Sequence, residues 1–210
     1  MTSLEQTAAE AIQDGWAVLR TDIRTLLLEA TGLGWRPVPI RRGEPALSTL
    51  RVVDAEDAHV QSLSAMVGRD RQPLHTDGAH HRVMPDIVLL AAVAPSPTPT
   101  LLRALGVPTE SQRAGVFKVG GGRDAFYSSA IDTAGRWRYD PGCMTPMDDD
   151  ARHAAAEFAA LTESAFAHYW TEPGNVLVIA NRRALHARAA ASDASTRRVH
   201  RAALISGLDG

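Results

Sequence analysis

Three things are scarce in this sequence: cysteine, an excess of charge of one sign, and long apolar runs. The single cysteine, Cys143, excludes an intrachain disulfide and a thiolate cluster for structural zinc. It lies in the turn-forming segment DPGCMTP with no base beside it, which disfavours a cysteine nucleophile. The formal net charge is −2 and no block of like charge occurs, so the sequence lacks the basic surface typical of nucleic-acid binding.

No apolar run approaches the roughly 20 residues that a membrane span requires. The N-terminal segment MTSLEQTAAEAIQDGW carries acids where a signal peptide has basic residues, and it has no apolar stretch. We therefore expect a cytoplasmic protein without membrane association. The content of 45% hydrophobic and 22% charged residues is typical of globular proteins, and the length suits a single domain spanning residues 1–210.

Helical spacing of apolar residues occurs in three places. Residues 4–14 repeat apolar side chains along one face and end at an Asp-Gly pair. Residues 21–32 predict a second helix, with Thr21 as its candidate cap. Residues 151–170 predict a long third helix, with acidic residues at its positive N-terminal end.

Strands are predicted where short apolar or alternating runs lie between glycine, proline and aspartate. Residues 86–94 are apolar on both faces, as in a buried strand, and the prolines that follow indicate a loop-rich middle. The other predicted strands are 16–20, 114–120, 125–131, 136–140, 175–181 and 199–208. Few helices and many short strands favour an α+β fold built on an antiparallel barrel or jelly roll.

The segment PLHTDGAHH concentrates side chains that bind metals. His75 and Asp77 are two residues apart, so on a strand or at its end they project from one face. One imidazole and one carboxylate suit Fe(II), Mn(II) or Zn(II), but a third ligand is needed. His186, just beyond a late apolar strand, completes a two-histidine, one-carboxylate set if the two strands are neighbours. The alternative is a polar turn, which would account completely for His80 and His81.

A group of three arginines begins eleven residues after His186. Arg197, Arg198 and Arg201 lie at the start of the last strand. A guanidinium inside a barrel requires an anionic partner, and its planar fork fits a carboxylate. An iron site beside such an arginine is suited to bind 2-oxoglutarate. The alternative is that Arg197 and Arg198 are solvent-exposed charges at a loop edge.

Four segments together resemble the TauD/TfdA family of Fe(II)/2-oxoglutarate oxygenases, which includes taurine dioxygenase and clavaminate synthase. They are PLHTDGAHHRVMPDIVLL, RYDPGCMTP, EPGNVLVIANRRALHAR and RRVHRAALISG, within residues 62–208. The resemblance implies a double-stranded β-helix core (jelly-roll, cupin-like) with flanking helices. It also implies Fe(II) as the cofactor, with 2-oxoglutarate and O2 as co-substrates.

The resemblance also assigns roles to individual residues. The implied metal ligands, which are also the catalytic set, are His75, Asp77 and His186. Arg197 would bind the distal carboxylate of 2-oxoglutarate, and Thr100 would donate its hydroxyl to the same group. The proline-rich register leaves Thr98 as an alternative to Thr100. His80 and His81 have no implied role as ligands.

Arg201 is the residue that the resemblance places on the substrate side. It lies four residues after Arg197, so on an extended segment both would face inward and Arg201 would require its own anion. We therefore expect a substrate with a carboxylate, sulfonate or phosphate, unless Arg201 pairs with an acid of the chain such as Asp193. The stretch between Asp77 and His186 is shorter than in most family members. This predicts an open mouth that also admits a large or carrier-bound substrate.

The expected reaction is hydroxylation of an unactivated C–H bond in a small polar metabolite, such as an amino acid or a natural-product intermediate. Succinate and CO2 would be the co-products. Desaturation and ring closure need the same residues and stay open, as does a catalytically silent binding barrel. Asp77 argues against halogenation, because related halogenases have a small residue there. The sequence lacks the HExxH motif of zinc hydrolases, which disfavours that class of enzyme.

Overall fold

A computed structural model describes residues 3–192 and 195–207. Its α-helices are α1 (Leu4–Asp14), α2 (Ile23–Gly32), α3 (Leu63–Val67), α4 (Glu110–Ala114) and α5 (Asp149–Ala160). Its strands are β1 (Trp16–Arg20), β2 (Arg36–Val38), β3 (Leu47–Arg51), β4 (Ile87–Ala92), β5 (Ser96–Ala104), β6 (Phe117–Val119), β7 (Phe126–Ser128), β8 (Met144–Pro146), β9 (Phe166–Trp170), β10 (Asn175–Ala180), β11 (Ala184–Arg188) and β12 (Arg198–Ile205). No helix in these ranges has the length and apolar character needed to cross a membrane.

The largest sheet has the order β1-β10-β4-β12-β2, and β3 pairs with the other half of β12. A second sheet has the order β11-β5-β9, and a third β7-β6-β8. The pairings between these strands are antiparallel. The mixed fold with antiparallel sheets confirms the predicted α+β class.

Alternate residues of β4 pack on opposite sides of the large sheet. Ile87 and Leu89 contact the apolar faces of α1 and α2, which cover one side. Val88 and Leu90 face the second sheet and pack in the same cluster as Leu102 of β5. This alternation explains why the strand is apolar throughout: both of its faces are buried. The space between the two sheets is where the candidate site lies.

The predicted helix over residues 151–170 is wrong in its second half. The helix ends at Ala160, a 3-10 turn covers residues 161–164, and Phe166–Trp170 forms β9 at the edge of the second sheet. The apolar spacing is compatible with a helix, but β9 is rich in aromatic residues, which favour strands. Pairing with β5 and burial of Trp170 then stabilise the strand.

Two further expectations need correction. The proline-rich stretch is a strand, not a loop, because Pro97 and Pro99 lie within β5. The pairing of β5 with β9 is irregular between Ser96 and Thr100, so the N–H groups that the prolines lack are not required there. Residues 136–140, predicted as a strand, form only an isolated bridge between Trp137 and Ile131.

Candidate metal and co-substrate site

Three predicted ligands meet between the two sheets. His186 lies in the middle of β11, and its main chain forms a β-bridge with His75, with N···O distances of 2.9 and 3.0 Å. Asp77 follows in the turn after this bridge. One potential ligand atom from each residue lies within 4.8 Å of the others, and all three side chains are buried. His80 and His81 lie outside this group.

The His75 imidazole is oriented to offer a nitrogen lone pair. His75 Nδ1 lies 2.9 Å from the Pro73 carbonyl oxygen. Because a carbonyl only accepts, Nδ1 carries the proton and Nε2 keeps its lone pair. Burial and the neighbouring His186 lower the pKa of His75, which favours the neutral form that binds metals.

Asp77 has one paired and one unpaired oxygen. Burial alone would raise the pKa of this carboxyl, but Arg201 and His186 outweigh burial and hold the pKa far below its ordinary range. Oδ1 accepts a hydrogen bond from Arg201 at 3.1 Å. The buried Oδ2 has no hydrogen-bond partner among the residues that the structure describes, and it lies 3.7 Å from His186 Nε2. A buried anionic oxygen without a hydrogen bond, grouped with two histidines, fits a divalent first-row metal such as Fe(II).

Arg197 is the second buried charge of the site. Its Nη2 donates to Thr100 Oγ1 at 2.9 Å, and Trp170 Nε1 donates to the same oxygen at 3.1 Å. Arg197 forms no ion pair with a described residue, and its Nε has no partner. Burial and nearby Arg188 lower the pKa of Arg197 to about 10. The structure places Thr100 beside Arg197, whereas Thr98 contacts Ser195.

Sequence reasoning missed Arg188, a second guanidinium near Arg197. Its side chain donates to the main-chain oxygens of Gly68, Arg69, Asp70 and Ala189. Main-chain dipoles therefore hold it, and it forms no ion pair within the described part of the chain. Two buried cations close together favour a small dianion in this part of the cavity. The available signal was its position two residues after His186, on the same face of β11.

Arg201 already has protein anions. Besides Asp77, it contacts Glu44 Oε2 at 3.3 Å, and Glu44 also pairs with Arg41 at 2.8 Å. The alternative that the sequence left open, in which Arg201 pairs with an acid of the chain, is therefore the one observed. Asp193, the partner considered from the sequence, lies outside the described residues. Glu44 had no motif to reveal it.

A cavity of about 340 Å³ joins these groups. Its wall includes the three candidate ligands, Arg197 with Thr100, and Arg201 with Glu44. Cys143 also reaches the cavity, but burial and Asp140 raise the pKa of its thiol, so it stays protonated. The cavity therefore places a candidate metal centre between a cationic end and an end where both charge signs are present.

The fold is that of non-heme iron oxygenases, as comparison with solved structures shows. An asparagine oxygenase in complex with Fe(II), 3-hydroxyasparagine and succinate aligns with a TM-score of 0.72 and 19% identity, over 97% of this chain and 79% of that one. The non-heme iron oxygenase OrfP, in complex with Fe and α-ketoglutaric acid, aligns with a TM-score of 0.71 and 18% identity, over 97% and 80%. No family model and no curated protein matches the sequence. The likeness confirms the predicted oxygenase fold.

Proposed function

We propose that this protein is an Fe(II)- and 2-oxoglutarate-dependent oxygenase that hydroxylates a C–H bond of a small polar metabolite. The observation that carries the proposal is the buried His75, Asp77 and His186 group, in which Asp77 Oδ2 has no hydrogen-bond partner among the described residues. The asparagine oxygenase and OrfP structures, which have this fold, contain iron together with succinate or α-ketoglutaric acid.

The two imidazoles and the Asp77 carboxylate would hold the metal as a facial set. Bound there, Fe(II) with 2-oxoglutarate and O2 would supply the oxidising equivalents for hydroxylation, with succinate and CO2 as co-products. The protein keeps Asp77 ionised and His75 neutral, which are the protonation states in which both side chains can bind a metal.

Arg197 and Thr100 would bind the distal carboxylate of 2-oxoglutarate. The guanidinium is buried without an ion pair among the described residues, so a carboxylate would offset its desolvation. The Thr100 hydroxyl accepts from both Arg197 and Trp170, which leaves its own proton to donate to that carboxylate. Arg188 adds a second positive charge nearby.

An amino acid or a related anionic metabolite is the substrate class that we propose. The neighbouring structures contain 3-hydroxyasparagine and (3S)-hydroxy-L-Arg. Arg201 faces the cavity, and the partly exposed Glu44 is the partner that a substrate carboxylate would replace. The short stretch between Asp77 and His186 predicts an open mouth to the cavity. Such a mouth would also admit a substrate bound to a carrier protein.

The finer architecture is also part of the proposal. The large and second sheets pack face to face across the cluster that contains Val88 and Leu102, which supports a double-stranded β-helix core. We propose that residues 1–210 form one domain and that the protein acts in the cytoplasm.

Formation of succinate from 2-oxoglutarate with Fe(II), ascorbate and candidate amino acids tests the proposal. His75→Ala, Asp77→Ala and His186→Ala should each lose succinate formation and bound iron, because two remaining ligands chelate too weakly to retain Fe(II). His80→Ala and His81→Ala are the matched controls and should retain iron. Full turnover by the Asp77→Ala protein would refute the ligand assignment.

A further inference from the structure

Asn181 is fully buried and directly follows β10, where the chain turns towards β11. The Asp77 N–H donates to its Oδ1 at 2.8 Å. Its Nδ2 donates to the main-chain oxygens of Asp77 and Pro85, each at 2.9 Å. The side chain therefore uses its oxygen and both N–H groups on the segment that carries one candidate metal ligand.

Asp77 differs from its two predecessors in how its main chain is held. The N–H of His75 donates to the His186 carbonyl at 3.0 Å, and the N–H of Thr76 donates to the Tyr139 carbonyl at 2.7 Å. The next N–H, that of Asp77, donates to a side chain instead. The main-chain N–H of Asp77 is therefore held by one side chain, that of Asn181.

The main chain does not continue as a strand after Asp77. Gly78 turns it at a φ of +71°, and the next strand, β4, begins only at Ile87. By binding the carbonyls of Asp77 and Pro85 with one amide group, Asn181 ties together the two ends of this loop. Arg201 then orients the carboxylate through Oδ1, which leaves Oδ2 turned towards His186.

We infer that Asn181 is a positioning residue for the metal centre, acting through the main chain of Asp77. This inference rests on the proposed metal site. Loss of the carboxamide would let the Asp77 main chain shift and would leave its N–H and carbonyl unpaired in a buried place. Groups that orient metal ligands typically change metal affinity by about 10- to 100-fold when removed.

Titration with Co(II), an air-stable substitute for Fe(II), measures the effect directly. Asn181→Ala should bind Co(II) about 10- to 100-fold more weakly than the wild type. Asn175→Ala, which removes the other asparagine of the sequence from the opposite end of the same strand, should bind as the wild type does. In the metal-free protein, amide hydrogen exchange at Asp77 should be faster in Asn181→Ala than in the wild type.

Asn181→Ser is a gentler variant in case the alanine protein does not fold, since a hydroxyl can still bind one of the released groups. Its Co(II) affinity should fall by a factor near the lower end of that range. Lower thermal stability with unchanged Co(II) affinity in the variants that fold would overturn the inference and assign Asn181 a purely structural role. Failure of the wild type to bind either Co(II) or Fe(II) would instead contradict the metal centre itself.

Discussion

Buried charges that lack full protein partners identify the site residue by residue. Asp77 Oδ2 has no hydrogen-bond partner, and Arg197 forms no ion pair with any described residue. A buried charge is costly unless an opposite charge compensates it. The missing partners are a cation at Asp77 Oδ2 and an anion at Arg197, which are the charges that Fe(II) and 2-oxoglutarate would bring.

Arg197→Ala should sharply raise the apparent KM for 2-oxoglutarate. Truncating one partner of a buried charge pair costs roughly 2–5 kcal/mol, because the carboxylate is left without its guanidinium. Arg197→Lys should restore only part of the loss, since an ammonium cannot reproduce the planar fork. Succinate formation as a function of 2-oxoglutarate concentration measures both effects.

Arg198→Ala is the matched control for this prediction. Arg198 is the next residue in the chain but its side chain is exposed, so its removal should leave the KM near the wild-type value. A defect in Arg198→Ala with a normal Arg197→Ala protein would show that the co-substrate site has been assigned to the wrong residue.

Substitutions at Arg201 and at Glu44 should change substrate affinity in opposite directions. If a substrate carboxylate replaces Glu44 at Arg201, Arg201→Ala weakens substrate binding by roughly 2–5 kcal/mol. Glu44→Gln removes the competing charge and should tighten binding of the same substrate several-fold. Amino acids found by the succinate screen serve as ligands, with affinity measured on the metal-loaded protein. Weaker binding in Glu44→Gln would mean that Glu44 itself contacts the substrate.

The residues that form motifs were predictable from the sequence, and the residues that support them were not. Spacing made His75, Asp77 and His186 candidate ligands, and the resemblance to TauD/TfdA oxygenases assigned them to one site. Asn181 belongs to the segment EPGNVLVIANRRALHAR that carries the resemblance, but nothing in the sequence indicates its contact with Asp77. Glu44 likewise contacts Arg201, a residue far away in the chain, and no motif points to it.

At the scale of elements, the contact between α4 and α5 is tight enough to test. A Cβ added at Gly115, which follows α4, would lie 2.6 Å from the Ala151 main-chain nitrogen in α5. Gly115→Ala should therefore destabilise the protein by about 1–3 kcal/mol, as overpacking of a close contact does. Urea unfolding measures the change.

Gly106→Ala is the control for that substitution. A Cβ added at Gly106 would have no atom within 4 Å, and the residue is exposed. The Gly106→Ala protein should therefore be about as stable as the wild type. Equal stability of the two alanine variants would contradict the packing of α4 against α5.

Elements whose pattern is local were the ones that the sequence predicted well. Residues 4–14 match α1, and 175–181 matches β10 to within one residue. Residues 21–32 contain α2, but the cap is Asp22, whose side chain accepts from the Arg24 N–H, and not Thr21 as predicted. β9 was missed because its identity depends on pairing with β5, and β11 was missed because it is short and follows β10 after a three-residue turn. Strands whose limits depend on pairing with distant segments cannot be predicted from local periodicity.

At the scale of the whole molecule, the site exists because two sheets face each other. The bridge between His75 and His186 joins the ligand segment to the second sheet, and β12 of the large sheet carries Arg201 to the opposite wall. A fold class could be predicted from short strands and few helices, but the order β1-β10-β4-β12-β2 could not, since each pairing joins distant segments.

The most direct test of the account is anaerobic visible absorption of the Fe(II)-loaded protein during titration with 2-oxoglutarate. Chelation of Fe(II) by the ketone and adjacent carboxylate gives a charge-transfer absorption that needs no substrate and no turnover. The account predicts that this absorption appears and saturates in the wild type, and that it requires a much higher 2-oxoglutarate concentration in Arg197→Ala. It should be absent from His186→Ala, which lacks a ligand. Failure of the wild type to bind Fe(II), or bound Fe(II) without this absorption at saturating 2-oxoglutarate, would contradict the account.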